Sequence, residues 1–122
     1  MILVDTSVWI DHLNDPDPHL QYLLRHSQVI MHPYILGEIA LGKLQRRNHL
    51  LNSLIELAVA AVATDYEVIE AISLMHLDGV GIGYVDAHLL VSTKLDGLRL
   101  WTRDKRLSAQ AERLGVQYSA VQ

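Results

Sequence analysis

Short apolar runs alternate with longer stretches of helical spacing along this whole chain. Ile2–Val4, Val29–Met31, Ala58–Val62, Leu98–Thr102 and Val116–Tyr118 read as strands. Ser7 can cap a helix running to about Leu13. Asp17 reads as an N-cap with Pro18 in the first helical position, starting a helix to about His26. Pro33 opens a helix through Leu44, with Ile35, Leu36, Ile39, Ala40 and Leu44 at helical spacing. A further helix covers about Asn48 to Leu57. Thr64-Asp65-Tyr66-Glu67 is a capping box that starts a helix to about Leu77. Tyr84–Leu95 and Leu107–Leu114 complete the set, and Gly97 and Gly115 turn the chain out of them. Strands that alternate with helices in this way predict an α/β fold, a parallel sheet with helices on both faces. The 122 residues, with no repeat, linker or low-complexity segment, suit one domain over residues 1–122.

That fold gives four carboxylates a common meaning. Asp5 follows the first strand. Asp104 follows Leu98–Thr102. Asp86 sits in the first turn of the Tyr84–Leu95 helix, and Glu38 lies inside the helix that starts at Pro33. Strand carboxyl ends of an open parallel sheet share one edge, where ligands bind. Acids placed there converge although they are distant in sequence. Each acid alone also has a plainer reading. Asp5 and Asp104 fit helix caps, Asp86 fits the positive end of a helix dipole, and Glu38 fits a surface position. Glu38 and Asp86 weigh against the plain reading. Each is the sole Asp, Glu, Lys or Arg in a long apolar segment, Met31–Gly42 and Val80–Thr93. A lone charge there is costly unless paired or metal-bound.

Converging carboxylates repel by roughly 4 kcal/mol per close pair at an effective dielectric near 20. Protons or cations must offset that repulsion, and oxygen-only ligands suit Mg²⁺ or Mn²⁺, one or two ions. The matching chemistry is metal-assisted phosphodiester hydrolysis, which needs no histidine base. None of the seven histidines has a ligand spacing, although His12 and His32 are candidates to line the cleft. Ser7 and Thr102 are placed to orient water or carboxylates. Arg46, Arg47, Arg103 and Lys105 belong to short basic clusters that can steer a nucleic-acid backbone, or simply face solvent.

The bulk numbers restrict the alternatives. The net charge of −4, from 10 basic against 14 acidic residues, is acidic for a nucleic-acid binder. Setting the site acids aside brings the remainder to balance, so the acidity is local to one pocket. No cysteine is present, which removes disulfides, zinc–thiolate sites and cysteine nucleophiles and fits a cytoplasmic protein. The first apolar run ends at Asp5 without a basic segment before it, so it reads as a buried strand rather than a signal peptide. No apolar stretch reaches membrane-spanning length. There is no G-x-S-x-G elbow, P-loop or G-x-G-x-x-G. Aromatic residues are 6% of the chain with no Phe, a poor supply for a base-stacking platform.

The motifs that carry the acids resemble those of the PIN-domain nucleases, and within them the VapC-type toxins of toxin–antitoxin pairs. Ile2-Leu3-Val4-Asp5-Thr6-Ser7-Val8-Trp9-Ile10 is similar to that family's first strand and first acid. Gly37-Glu38 lies in the helix of the second acid. Tyr84-Val85-Asp86-Ala87-His88-Leu89-Leu90 and Trp101-Thr102-Arg103-Asp104-Lys105-Arg106-Leu107 are similar to the third and fourth motifs. The similarity covers essentially the whole chain. It implies a three-layer PIN-like fold with a parallel sheet of about five strands, Mg²⁺- or Mn²⁺-dependent endoribonuclease activity, and a catalytic and metal site of Asp5, Glu38, Asp86 and Asp104. It also implies a homodimer and a small cognate antitoxin over the acidic cleft.

Rival readings want residues that are absent. A phospho-accepting receiver domain wants adjacent acids after the first strand, where Thr6 and Ser7 stand. A phosphatase of the haloacid dehalogenase type wants a second Asp two residues after the first, where Ser7 stands. A non-catalytic metal-binding interaction module stays open from the sequence, and a cleavage assay with and without chelator separates it.

Overall fold

The computed structural model describes residues 1–120. Among them the elements run β1 (Ile2–Val4), α1 (Thr6–Asn14), α2 (Pro18–Arg25), β2 (Val29–Met31), α3 (Pro33–Leu41), α4 (Arg47–Ile55), β3 (Ala58–Val59), α5 (Asp65–Leu74), α6 (Tyr84–Leu95), β4 (Arg99–Trp101) and α7 (Lys105–Arg113). The sheet order is β3-β2-β1-β4 and every pairing is parallel. Side chains alternate between the two faces of a strand, yet every residue of β1 and β2 is buried. Both faces of the central strands are therefore covered, as a parallel sheet requires. Leu3, Leu20, Met31, Ile35, Ile39, Leu89, Leu90, Leu100 and Leu107 form the centre of the core. Ala63, Val68, Ala71, Ala87 and Val91 make a smaller cluster between α5 and α6.

Local chemistry sets the helix starts. The Asp17 carboxylate accepts from the His19 and Leu20 amides, with Pro18 opening α2. Thr64 and Glu67 close a reciprocal capping box on α5. Asp104 accepts from the Leu107 amide, so α7 begins at Lys105, earlier than the apolar pattern predicts. The cap of α1 is Asp5 rather than Ser7, because the Asp5 carboxylate takes the Ser7 amide. Gly42 ends α3 short of the expected Leu44.

Among the described residues the sheet has four strands where about five are expected. Gly115 turns the chain back at φ 73°, and Leu100 then bonds Val116 and Tyr118, but only one isolated bridge forms, between Leu100 and Gln117. Val116–Tyr118 thus runs beside β4 without extending the ladder. The third strand shrinks to Ala58–Val59, both exposed at the sheet edge, where alanine has little to pack against.

From β1 the chain steps outward through β2 to β3, then crosses to the far side of β1 for β4. The order of the sheet therefore reverses between β1 and β4. Ligands of such sheets bind in the crevice outside the strand carboxyl ends at that reversal. Asp5 and Thr102 are the residues that leave those two strands.

Candidate functional site

Asp5 is 7% exposed, the only buried carboxylate among the described residues. Its Oδ2 accepts from the Ser7 hydroxyl at 2.7 Å and the Thr102 hydroxyl at 2.8 Å, with the Ser7 amide more distant at 3.4 Å. The Arg103 amide donates to Ser7 Oγ at 3.0 Å and the Asp104 amide to Thr102 Oγ1 at 3.1 Å. Two hydroxyls thus fix the Asp5 carboxylate and tie the β4–α7 loop to α1. Both ends of this network were accessible from sequence as Ser7 and Thr102. Thr6 was not singled out, although it lies in the same Asp-Thr-Ser run. Its hydroxyl donates to Glu38 Oε1 at 2.8 Å and ties α1 to α3. Asp86 Oδ2 receives the Gly83 amide at 3.4 Å, and Asp104 Oδ1 the Leu107 amide at 2.9 Å.

The pattern is the same at each acid. One carboxylate oxygen accepts from the protein, and the other, Asp5 Oδ1, Glu38 Oε2, Asp86 Oδ1 and Asp104 Oδ2, has no protein donor among the described residues. No lysine or arginine among those residues forms an ion pair with any of them; the arginine pairs formed go to Asp11 and Asp17. The acids act on one another electrostatically. Burial pushes the Asp86 carboxyl above the usual carboxylate range. The Gly83 amide opposes that push, and the negative charges of Asp5, Asp104 and Glu38 add to it. No three acid or histidine side chains among the described residues are drawn together closely enough to hold an ion as they stand. Repulsion favours that spread, with each carboxylate turned to its own amide or hydroxyl. The donor set nevertheless fits a hard divalent cation: it is all oxygen, it converges on one sheet edge, and each member keeps an oxygen to offer.

The remaining candidates lie around this centre. Arg103 donates to Asp11 Oδ2 at 2.7 Å and Asp17 Oδ2 at 2.6 Å, and its guanidinium carbon lies 5.7 Å from the Trp101 ring centroid. It clamps the β4–α7 loop to the α1–α2 turn rather than projecting freely. Lys105 is exposed in the first turn of α7. Arg46 precedes α4 with a left-handed backbone, and Arg47 donates to the Ala40 carbonyl at 3.0 Å. Neither contacts the acids. His12 Nδ1 accepts from the Asp17 amide at 2.9 Å. His32 is fully buried, caps α3 through Nδ1, and meets Ser92 Oγ at 3.2 Å through Nε2. Both histidines are occupied with structure. His88 is buried with Nε2 3.0 Å from Asp65 Oδ1, which also receives the Tyr84 hydroxyl at 2.7 Å.

Comparison with known proteins places the chain. The family model described as PIN domain matches residues 2–113. Two proteins named Ribonuclease VapC32, from two strains of Mycobacterium tuberculosis, are 46% identical over 117 residues, covering 95% of this chain and 94% of theirs. Among solved structures, PAE2754 from Pyrobaculum aerophilum superposes with a TM-score of 0.65 at 19% identity, covering 95% of this chain and 96% of that one. FitAB bound to the IR36 DNA fragment gives a TM-score of 0.61 at 17% identity, covering 92% and 91%. Those two likenesses show the fold. The family model, which spans most of the chain, and the 46% identical relatives show the lineage: this chain belongs to the PIN domain family, in its VapC-type branch.

Proposed function

We propose that this protein is a divalent-metal-dependent endoribonuclease and the toxin of a toxin–antitoxin pair. The observation that carries the reading is the acid centre at the sheet reversal, where, among the described residues, each carboxylate keeps one oxygen without a protein donor and no lysine or arginine forms an ion pair with it. The name of the VapC32 relatives supports RNA as substrate. Asp5 and Asp86 would hold Mg²⁺ or Mn²⁺ most directly, with Glu38 and Asp104 completing one or two ion sites. When bound, such ions activate water and stabilise the leaving oxygen of a phosphodiester. The protein's own part is orientation. Ser7 and Thr102 hold Asp5 Oδ2, which leaves Oδ1 to offer to a cation; Thr6 does the same for Glu38, and the Gly83 and Leu107 amides do so for Asp86 and Asp104. Lys105, exposed beside Asp104, is the basic residue best placed to meet a phosphate; Arg103 contributes by holding its loop.

A homodimer and a small antitoxin complete the proposal. Support comes from large exposed apolar side chains, Leu41, Ile55, Tyr66, Ile69, Leu74 and Leu95. Other apolar residues of the same helices, including Ile35 of α3 and Leu54 of α4, face the core. No helix among the described residues is long and apolar enough to cross a membrane. Incubation of the purified protein with RNA in Mg²⁺ or Mn²⁺, beside a chelator control, tests the activity. Metal-dependent internal cleavage is expected; intact RNA in every divalent ion would leave the rival of a non-catalytic metal-binding module.

A further inference from the structure

The chain is poor in aromatic residues, yet the fold gathers several of them next to the acid centre. The His19 ring lies near-parallel to those of Tyr22 and Tyr118, with centroids 6.1 and 5.9 Å away and interplanar angles of 19° and 17°, and it meets Tyr118 edge to edge through a hydrogen bond. It meets Trp101 edge-on at 5.6 Å. His19, Trp101 and Tyr118 border a cleft of about 580 Å³ whose wall also includes Asp17, Arg103 and Gln117. Its size lies within the roughly 300–1,000 Å³ of small-ligand sites. Thr102 lines the same cleft while its hydroxyl donates to Asp5 at 2.8 Å. Cleft and acid centre therefore share one residue as a wall.

We propose that this cleft is the subsite for one nucleobase of the RNA strand, the base next to the scissile phosphate. The inference rests on the ribonuclease reading and adds where the substrate's sequence is sensed. Three observations favour a base. The charged groups on the wall, Asp17 and Arg103, pair with each other at 2.6 Å, so the lining is neutral and suits an uncharged heterocycle. The half-buried imidazole of His19 and phenol of Tyr118 offer ring faces on which a base can stack, a sequence-tolerant source of affinity. Those faces are held in place, because His19 Nε2 and the Tyr118 hydroxyl lie 2.6 Å apart. Gln117 adds discrimination. Its amide nitrogen donates to Ser108 Oγ at 2.6 Å, which leaves the amide oxygen to accept from a base edge.

The test uses the native protein in chelator, so that RNA is bound without being cut, and tetramers of each of the four ribonucleotides. Ring signals of His19 and the Trp101 indole are followed by NMR. At least one tetramer is expected to shift both saturably, and His19→Ala or Gln117→Ala to weaken its binding about tenfold, within the range of one stacked base. With Mn²⁺ restored, the same variants are expected to cut mixed-sequence RNA with less preference at the base beside the cut. Cleavage by the native protein without any shift of His19 or Trp101 would overturn the subsite and leave the nuclease standing. Saturable shifts of both rings without cleavage in any divalent ion would uphold the subsite as a base site and overturn the nuclease.

Discussion

Asp5, Asp86 and Asp104 each satisfy a backbone amide at the start of a helix and belong to the acid centre. The plain reading thus holds for one oxygen of each carboxylate, and the proposed ion site uses the other. An amide in place of the carboxylate keeps the cap and removes the charge. Asp5→Asn and Asp86→Asn are therefore expected to abolish RNA cleavage while leaving the protein folded, with the circular dichroism spectrum of the parent. Cleavage by both variants at the parent rate would remove these residues from the site. Thr102→Val tests the hydroxyl that orients Asp5, and a loss on the order of 10–100-fold in metal affinity or activity is expected. His32 predicts a pH effect on stability of separate origin. Burial, with a smaller push from His88, lowers its imidazole to about 4. Between the ordinary histidine value and about 4 the unfolded chain binds the proton and the folded one does not, so stability is lost as pH falls through that window. The loss is roughly 3 kcal/mol, and it levels off below about pH 4. His32→Asn keeps an acceptor for the Tyr34 amide; urea titrations from neutral to acid pH are expected to show it losing less stability than the parent.

Helix starts were legible for α2 and α5, whereas α1 and α7 begin earlier than expected, capped by Asp5 and Asp104. Asp17-Pro18 and the Thr64–Glu67 box stand where the local pattern puts them, because their chemistry spans only a few residues. Strand ends were less legible, since pairing depends on partners far along the chain. Val116–Tyr118 has the composition of a strand but forms a single bridge, and Ala58–Val59 pairs only because β2 lies beside it. The acids of the proposed site stand out for a different reason: Glu38 and Asp86 are lone charges in apolar segments, and Asp5 and Asp104 follow strands. The Arg103 clamp was not legible, because nothing local links Arg103 to Asp11 and Asp17, some 90 residues earlier (separations of 92 and 86). The Thr64 cap offers a control at this scale. Thr64→Ala removes the hydroxyl that receives the Glu67 amide and is expected to cost about 1 kcal/mol in chemical denaturation, with cleavage unchanged. A change in cleavage larger than that in stability would tie α5 to the site in a way its contacts do not suggest.

At the scale of the molecule, the order β3-β2-β1-β4 brings residues from both ends of the chain to one crevice. Hydrogen bonds across it join Thr102 to Asp5 and Arg103 to Ser7. The acids gathered there repel one another, so an ion bound among them would add to the stability of the fold. An ion that binds only the folded state at a hundredfold excess over its Kd adds about 2.7 kcal/mol. For a domain this small the melting temperature is expected to rise on the order of 10 °C in Mn²⁺; a melt identical to that in chelator would speak against an ion site. The most direct test of a single shared centre is calorimetric titration of Mn²⁺ into the parent and into Asp5→Asn, Glu38→Gln, Asp86→Asn and Asp104→Asn, each first shown to be folded. The account predicts saturable binding to the parent and weakening of about tenfold or more, roughly 1.4 kcal/mol, in every variant. Parent-like isotherms in all of the variants would contradict it.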